Sequence, residues 1–339
     1  MMNLNLKNSQ IIFNDFEKSL KEVLPKNKKI IVVTDKNVNE LYGKTFSNFF
    51  VIEIGLGEGI KTLQTIEFII DKLIELEADR HSFLLGIGGG IVCDITGFAA
   101  SIFMRGIDFG FVSTTLLSQV DASIGGKNGV NFSSYKNIIG NFNQPNFVVC
   151  DTKMLNTLPK KEIKCGLGEI IKHALISDAE MFDFISENYE NILDLDDTIL
   201  PKLIFDNINI KAKIVEKDEK EQAERKKLNF GHSLAHAIEK HSDLSHGEAV
   251  AVGIIFASKI SLQKGYISDI EYDKIKEVLL KYDLPIELNI EKEKIFNAIK
   301  KDKKRNSDNI SFVLLEKIGK AKIENISLND LKQYLDDLC

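Results

Sequence analysis

Cysteine is scarce in this sequence. The four present, Cys93, Cys150, Cys165 and Cys339, lie far apart and form no C-x-x-C pair. Their spacing argues against a disulfide framework and against a thiolate zinc site, and it fits a reducing compartment. Positive charge is not in excess either: 44 lysines and arginines face 50 acidic residues, a formal net charge of -6. Non-specific nucleic-acid binding needs a broadly basic surface and is not expected, although a locally basic pocket for a small anion remains open. Apolar residues nowhere run unbroken for the roughly eighteen positions of a membrane span. The opening MMNLNLKNSQ lacks the basic and then apolar regions of a secretory signal, so a cytoplasmic location is expected. Internal repeats and low-complexity segments are also missing.

What remains is a soluble, globular composition, 44% hydrophobic and 28% charged over 339 residues. That length suits two domains better than one core, and the two halves differ in texture. Short β-rich runs at 29–34, 49–54, 83–86, 109–113 and 147–150 alternate with helical stretches at 62–76 and 92–104. This alternation predicts an α/β, Rossmann-like domain over residues 1–157 with a mostly parallel sheet, whose ligands sit at the carboxyl ends of its strands. From 158 to 339 apolar residues recur at helical spacing, with a small hairpin near 310–323, predicting a mainly α-helical domain and a cleft between the two. The charge run 216–227 reads as a solvated helix face or loop.

Three stretches carry chemistry. Leu84 to Asp94 reads as strand, glycine loop and helix start. Its glycines allow close backbone approach to a phosphate, and the helix N-terminus offers free N–H groups; Ile91 stands where a G-x-G-x-x-G fingerprint has its third glycine. Ser113 to Asn128 is polar and glycine-bearing, and Lys127 beside Gly125 and Gly126 suits an anion, with Lys136 and Asn137 soon after. The sharpest signal lies further on: five of six histidines fall between 173 and 246. His232 and His236 are four residues apart, about 6 Å along a helix and on one face. His246 follows a short loop, and Glu169 and Lys172 are one helical turn apart. Two histidines and a carboxylate with an open position make a catalytic site for zinc, or by ligand type for iron or cobalt. Spacing leaves His173, four residues from Glu169, open as a ligand; His241 and His81 have no evident part. Lys211, Arg225, Lys303 and Lys304 could serve an anionic substrate.

With these residues in view, the chain resembles the 3-dehydroquinate synthase family, within the wider sugar-phosphate cyclases. The likeness runs from about residue 31 to 315 and rests on motifs in order: GGGIVCDITGFAAS…RG, STTLLSQVDASIGGKNGVN, KN at Lys136, LPKKEIKCGLGEIIKHALI, KAKIVEKDEKE, LNFGHSLAHAIE, HGEAVAVG and a late DKK. The resemblance implies metal ligands Glu169, His232 and His246 for zinc or cobalt. It implies NAD contacts from Asp35, Asn37, Glu58, Lys61, the loop Gly89, Gly90, Ile91, Val92, Cys93 and Asp94, then Thr114, Thr115, Lys127 and Lys136, and the turn Met154, Leu155, Asn156 and Thr157. Substrate contacts would be Asp121, Lys127, Asn137, Lys172, Lys211, Arg225, Asn229, His236 and one lysine of Lys303 and Lys304. Arg105 would reach a neighbouring subunit's phosphate site, implying a homodimer.

The implied reaction converts 3-deoxy-arabino-heptulosonate 7-phosphate to 3-dehydroquinate and phosphate, by transient oxidation with NAD, phosphate elimination, re-reduction and intramolecular aldol closure. Two departures from the family pattern are Gly168, often alanine, and Ser134-Tyr135 before Lys136, where a glycine often stands. Glycine being a poor helix former, Gly168 is expected to loosen the helix carrying Glu169. Rival readings are a cyclase for another sugar phosphate, a polyol dehydrogenase of the glycerol dehydrogenase type, and a non-catalytic nucleotide-binding regulator; the lysines and the full ligand set argue against them.

Overall fold

A computed structural model describes residues 2–133, 135–287, 290–300, 305–306 and 309–337. The chain divides into two compact units, Met1–Leu158 and Pro159–Cys339.

The N-terminal unit is built on a seven-stranded sheet. Its strands are β1 (Met2–Leu6), β2 (Ser9–Phe13), β3 (Ile30–Asp35), β4 (Phe50–Ile54), β5 (Phe83–Gly88), β6 (Asp108–Ser113) and, after the hairpin β7 (Lys127–Phe132) and β8 (Tyr135–Phe142), β9 (Phe147–Cys150). They lie in the order β1-β2-β9-β6-β5-β3-β4, and every pairing is parallel except β1 with β2. β3, β5 and β9 are buried along almost their whole length. Such strands read as continuous apolar runs, because helices cover a parallel sheet on both faces; this is why they were legible. The edge hairpin β1–β2 and the separate hairpin β7–β8 were not foreseen. The exposed β8 has little apolar patterning to show, and β7 begins at Lys127 inside a polar, glycine-bearing stretch.

Four helices serve this unit: α1 (Phe16–Val23), α2 (Lys36–Tyr42), α3 (Leu63–Glu75) and α4 (Gly90–Ile102). Asp15, Asp35 and Thr62 cap the first three, each accepting a backbone N–H with its side chain, as short polar residues do at helix starts. One core packs Phe16 and Leu20 of α1 with Val32, Leu85, Ile87, Val112 and Val149 from neighbouring strands. α4 follows β5 directly and lies so close to β7 that a Cβ on Gly97 would stand 2.0 Å from Asn128 Oδ1.

The C-terminal unit is mainly helical: α5 (Lys160–Ser177), α6 (Ala179–Glu187), α7 (Tyr189–Leu193), α8 (Leu200–Lys217), α9 (His232–Glu239), α10 (His246–Gln263), α11 (Asp269–Lys281), α12 (Lys292–Lys300) and α13 (Leu328–Asp336). Pro201 falls in the first turn of α8, where its missing N–H costs nothing. The hairpin expected near 310–323 is there as β11 (Asn309–Lys317) with β12 (Lys320–Ser327), joined by β10 (Arg305–Asn306) into a three-stranded antiparallel sheet. α10 is the central helix, packed on α5, α9 and β11 and buried over most of its length. No helix among the described residues is long and apolar enough to cross a membrane.

Gly97 gives the first test. Gly97→Ala should destabilise the protein by about 1–3 kcal/mol, the usual cost of overpacking a tight interior, seen as a lower urea midpoint with an unchanged slope.

Candidate metal and phosphate-binding sites

Three helices of the C-terminal unit converge through glycine. A Cβ on Gly247, the second residue of α10, would lie 2.3 Å from the Cys165 carbonyl oxygen of α5, and one on Gly168 would lie 2.8 Å from the Gly247 carbonyl oxygen. At the head of α9, Gly231 has φ +79, and a Cβ on Gly253 of α10 would stand 2.0 Å from its carbonyl oxygen. Backbones meet at these points, so no side chain larger than hydrogen fits without a shift. α5 runs unbroken through Gly168, and the glycine serves the α5–α10 contact. The Gly247 N–H also donates to Cys165 Sγ at 3.3 Å.

That convergence brings Glu169, His232 and His246 together, with one ligand atom from each inside a 4.8 Å cluster. His246 Nε2 lies 3.1 Å and His232 Nε2 3.4 Å from Glu169 Oε1. The opposite ring nitrogens are engaged elsewhere: His232 Nδ1 is 3.2 Å from the Phe230 carbonyl oxygen, and His246 Nδ1 is 3.2 Å from Glu239 Oε1. Both outer partners are acceptors, so each Nδ1 donates outward and Nε2 is the nitrogen each ring turns toward the cluster, where it would meet a cation. This is the arrangement of imidazoles that hold a metal, and one carboxylate with two such nitrogens suits a divalent cation.

Glu169 is fully buried, and its Oε2 forms an ion pair with Lys172. Burial opposes the charge, but Lys172 and the two imidazoles outweigh it and hold the carboxyl well below the usual range. His232 is lowered by burial and by Lys172. Burial would lower His246 too, yet the carboxylates of Glu169 and Glu239 push it up to about 10. The cluster thus concentrates negative potential where a dication would sit. His236, one turn along α9, has its ring centroid 5.5 Å from that of His232. His173 Nδ1 donates to Asn207 Oδ1 at 3.0 Å, and its Nε2 is 3.8 Å from Glu169 Oε2, which places it behind the carboxylate.

In the N-terminal unit, sheet order locates a second site. β3 has β4 on one side and β5 on the other, so the chain reverses direction across the sheet there, and ligands of such sheets bind at the strand ends flanking the reversal. Those ends are Asp35 and the Gly88–Gly90 loop. Gly89 caps α4 with no side chain, leaving the first N–H groups open to an anion. A Cβ on Gly90 would be 2.9 Å from the Ala122 Cβ. Lys61, almost wholly buried, pairs with Asp94 in the first turns of α4. Glu58 accepts from Asn131 Nδ2 at 2.7 Å, and Asn131 Oδ1 in turn accepts from the Asn137 N–H at 2.9 Å.

Two consecutive family models match the chain, described as 3-dehydroquinate synthase N-terminal over residues 51–165 and 3-dehydroquinate synthase C-terminal over 166–305. The chain belongs to the 3-dehydroquinate synthase family. A 3-dehydroquinate synthase of Campylobacter concisus is 43% identical over 334 residues, which is 96% of this chain and 95% of the relative. Among solved structures, a 2-epi-5-epi-valiolone synthase from Streptomyces hygroscopicus with NAD+ and Zn2+ bound has a TM-score of 0.90 at 24% identity, covering 99% of this chain and 98% of its own. A 2-deoxy-scyllo-inosose synthase complexed with carbaglucose-6-phosphate, NAD+ and Co2+ has a TM-score of 0.87 at 24% identity, over the whole of both chains. Those two likenesses show a common fold.

The remaining residues singled out from the 3-dehydroquinate synthase pattern are distributed as follows. Arg225 is buried, although it lies in the charge run read as a solvated face; Asp218 accepts its backbone N–H at 3.1 Å, and its guanidinium donates to the Glu219 carbonyl. Lys211 of α8 is also buried, and Asn229 donates to Glu221. The side chains of Val92, Cys93, Met154 and Leu155 are buried in the core, so only their backbones could meet a cofactor. Thr114 is buried, Thr115 bonds Ser118, and Thr157 meets Tyr42 at 2.7 Å. Asn37, Lys127, Lys136, Asn137 and Asn156 are exposed, while Asp121 and Ile91 are half-buried. Arg105 is exposed in a turn where Met104, Arg105 and Gly106 all have positive φ. Lys303 and Lys304 lie outside the described residues. Glu239 was missed as a site residue; its signal was a position seven residues after His232, on the same helix face.

Because Gly247 adjoins His246, Gly247→Ala should do more than destabilise. The shift it forces between α5 and α10 should weaken zinc binding, measured by chelator competition, while the protein remains folded by circular dichroism.

Proposed function

We propose that the chain is a metal- and NAD-dependent 3-dehydroquinate synthase, a carbon–oxygen lyase that converts 3-deoxy-arabino-heptulosonate 7-phosphate to 3-dehydroquinate and phosphate. The observation that carries this reading is the cluster of buried Glu169 with half-buried His232 and His246, with Lys172 against its carboxylate and His236 one turn away. When bound, the zinc or cobalt ion supplies Lewis acidity toward adjacent hydroxyls, and NAD supplies a reversible hydride acceptor.

The chain's own residues do the rest. Glu169, His232 and His246 hold the cation. Asp35, Asn37, Glu58, Lys61, the Gly89–Asp94 loop, Thr114, Thr115, Lys127, Lys136 and the Met154–Thr157 turn would hold the dinucleotide, the N–H groups at the start of α4 being suited to a phosphate. Lys172, Lys211 and Arg225 are cations with little access to water, so their charge is not dissipated in solvent. They orient a substrate carrying both carboxylate and phosphate, and they stabilise the charge on the departing phosphate. Asp121, Asn137, Asn229 and a lysine of the Lys303–Lys304 pair complete the substrate contacts. His236 takes and returns a proton at its imidazole. Holding both ends of the aldol step in one pocket replaces a chance encounter with an oriented one. The chain acts in the cytoplasm as a homodimer, Arg105 reaching the phosphate site of the partner subunit.

The decisive assay supplies heptulosonate phosphate, NAD and zinc or cobalt. Phosphate and dehydroquinate should appear without accumulating NADH; NADH accumulating from a polyol would instead favour a dehydrogenase. His236→Ala should keep its metal and lose turnover by roughly 10²–10⁴-fold, and full turnover would remove its role. Glu169→Gln should bind metal more weakly, and unchanged occupancy would overturn the ligand assignment.

A further inference from the structure

Glu239 is placed where a carboxylate should not be. It is the last residue of α9, and the carbonyl end of a helix carries partial negative charge that disfavours an acidic side chain. Its side chain is also only 6% exposed, and burying a carboxylate costs free energy unless a partner offsets it. Capping of the adjoining helix does not account for it. The start of α10 is already closed by Ser245 and Glu248, whose carboxylate accepts from the Ser245 N–H at 2.7 Å. Among its contacts, Glu239 Oε1 lies 3.2 Å from His246 Nδ1.

We infer that Glu239 is a positioning residue for the metal centre, its carboxylate fixing His246 in the tautomer that turns an unprotonated Nε2 toward the cation. The inference rests on reading Glu169, His232 and His246 as the ligands. The two histidines then differ in kind. His232 leans on the Phe230 carbonyl, a neutral acceptor that no substitution removes. His246 leans on a full negative charge, which makes its imidazole the more electron-rich donor. His246 is also the more exposed of the two, 28% against 11% for His232, so its ring has more freedom to turn and more need of an anchor. Glu239 and His232 share a face of α9, so one helix supplies both a ligand and the support of the other ligand.

The test uses full-length protein loaded with zinc or cobalt. Glu239→Ala should bind zinc about 10–100-fold more weakly by chelator competition, and its cobalt-substituted form should show a shifted visible absorption spectrum. Glu239→Gln, whose side-chain carbonyl still accepts from Nδ1, should recover part of the affinity and the wild-type spectrum. NAD binding should be unchanged in both. Wild-type zinc affinity with an unaltered cobalt spectrum in Glu239→Ala would overturn the inference. So would equal losses in the two variants with wild-type spectra at saturation, because charge or packing alone would then be at work. Equal zinc binding by the wild type and Glu169→Gln would sink the ligand set itself, and the role of Glu239 with it.

Discussion

A carboxylate removed entirely from water organises the C-terminal unit. Glu169 is 0% exposed, and an isolated ion in that position would be costly enough to protonate or unfold the site. It survives because cationic and hydrogen-bonding groups crowd it from three helices: Lys172 from its own helix, His232 from the head of α9 and His246 from the head of α10. The same crowding makes the group useful. A negative charge with no solvent to relax it, ringed by imidazole nitrogens, is a strong and geometrically defined receptor for a divalent cation.

The close helix contacts follow from this demand. Imidazoles and a carboxylate can share a few ångströms only if the backbones that carry them come nearly into contact, and glycine is the residue that allows it. Gly168 with Gly247, and Gly231 with Gly253, are therefore part of the centre although none bears a functional group. Interiors at native density transmit such contacts stiffly, so helix spacing and ligand geometry are tied together.

In the N-terminal unit the constraint is the direction of the chain. A parallel sheet whose strand order reverses beside β3 leaves an opening at the strand ends, and the glycine loop after β5 feeds a helix N-terminus into it. α4 also packs closely on β7, through Gly97 against Asn128.

Much of this was legible in the sequence, for identifiable reasons. Buried parallel strands are continuous apolar runs, helices have a period, and a cluster of histidines with a distant Glu-x-x-Lys marks a metal-type site, so the α/β-then-helical order and a metal-binding composition could be read directly. Which three donors form the set came from the family resemblance, since spacing alone left His173 open. The exposed β8 left no such trace, because water imposes little pattern on it. Arg225 could be singled out as a substrate candidate but not as a buried one, since it sits in a polar run, and Gly168 looked like a weak point in a helix. Burial and interhelical distance are properties of residues far apart in the chain. Local sequence determined which groups are present and on which element each sits. Only the packing of α5, α9 and α10 decided which groups face one another, why Glu239 stands behind His246, and which charges are denied solvent.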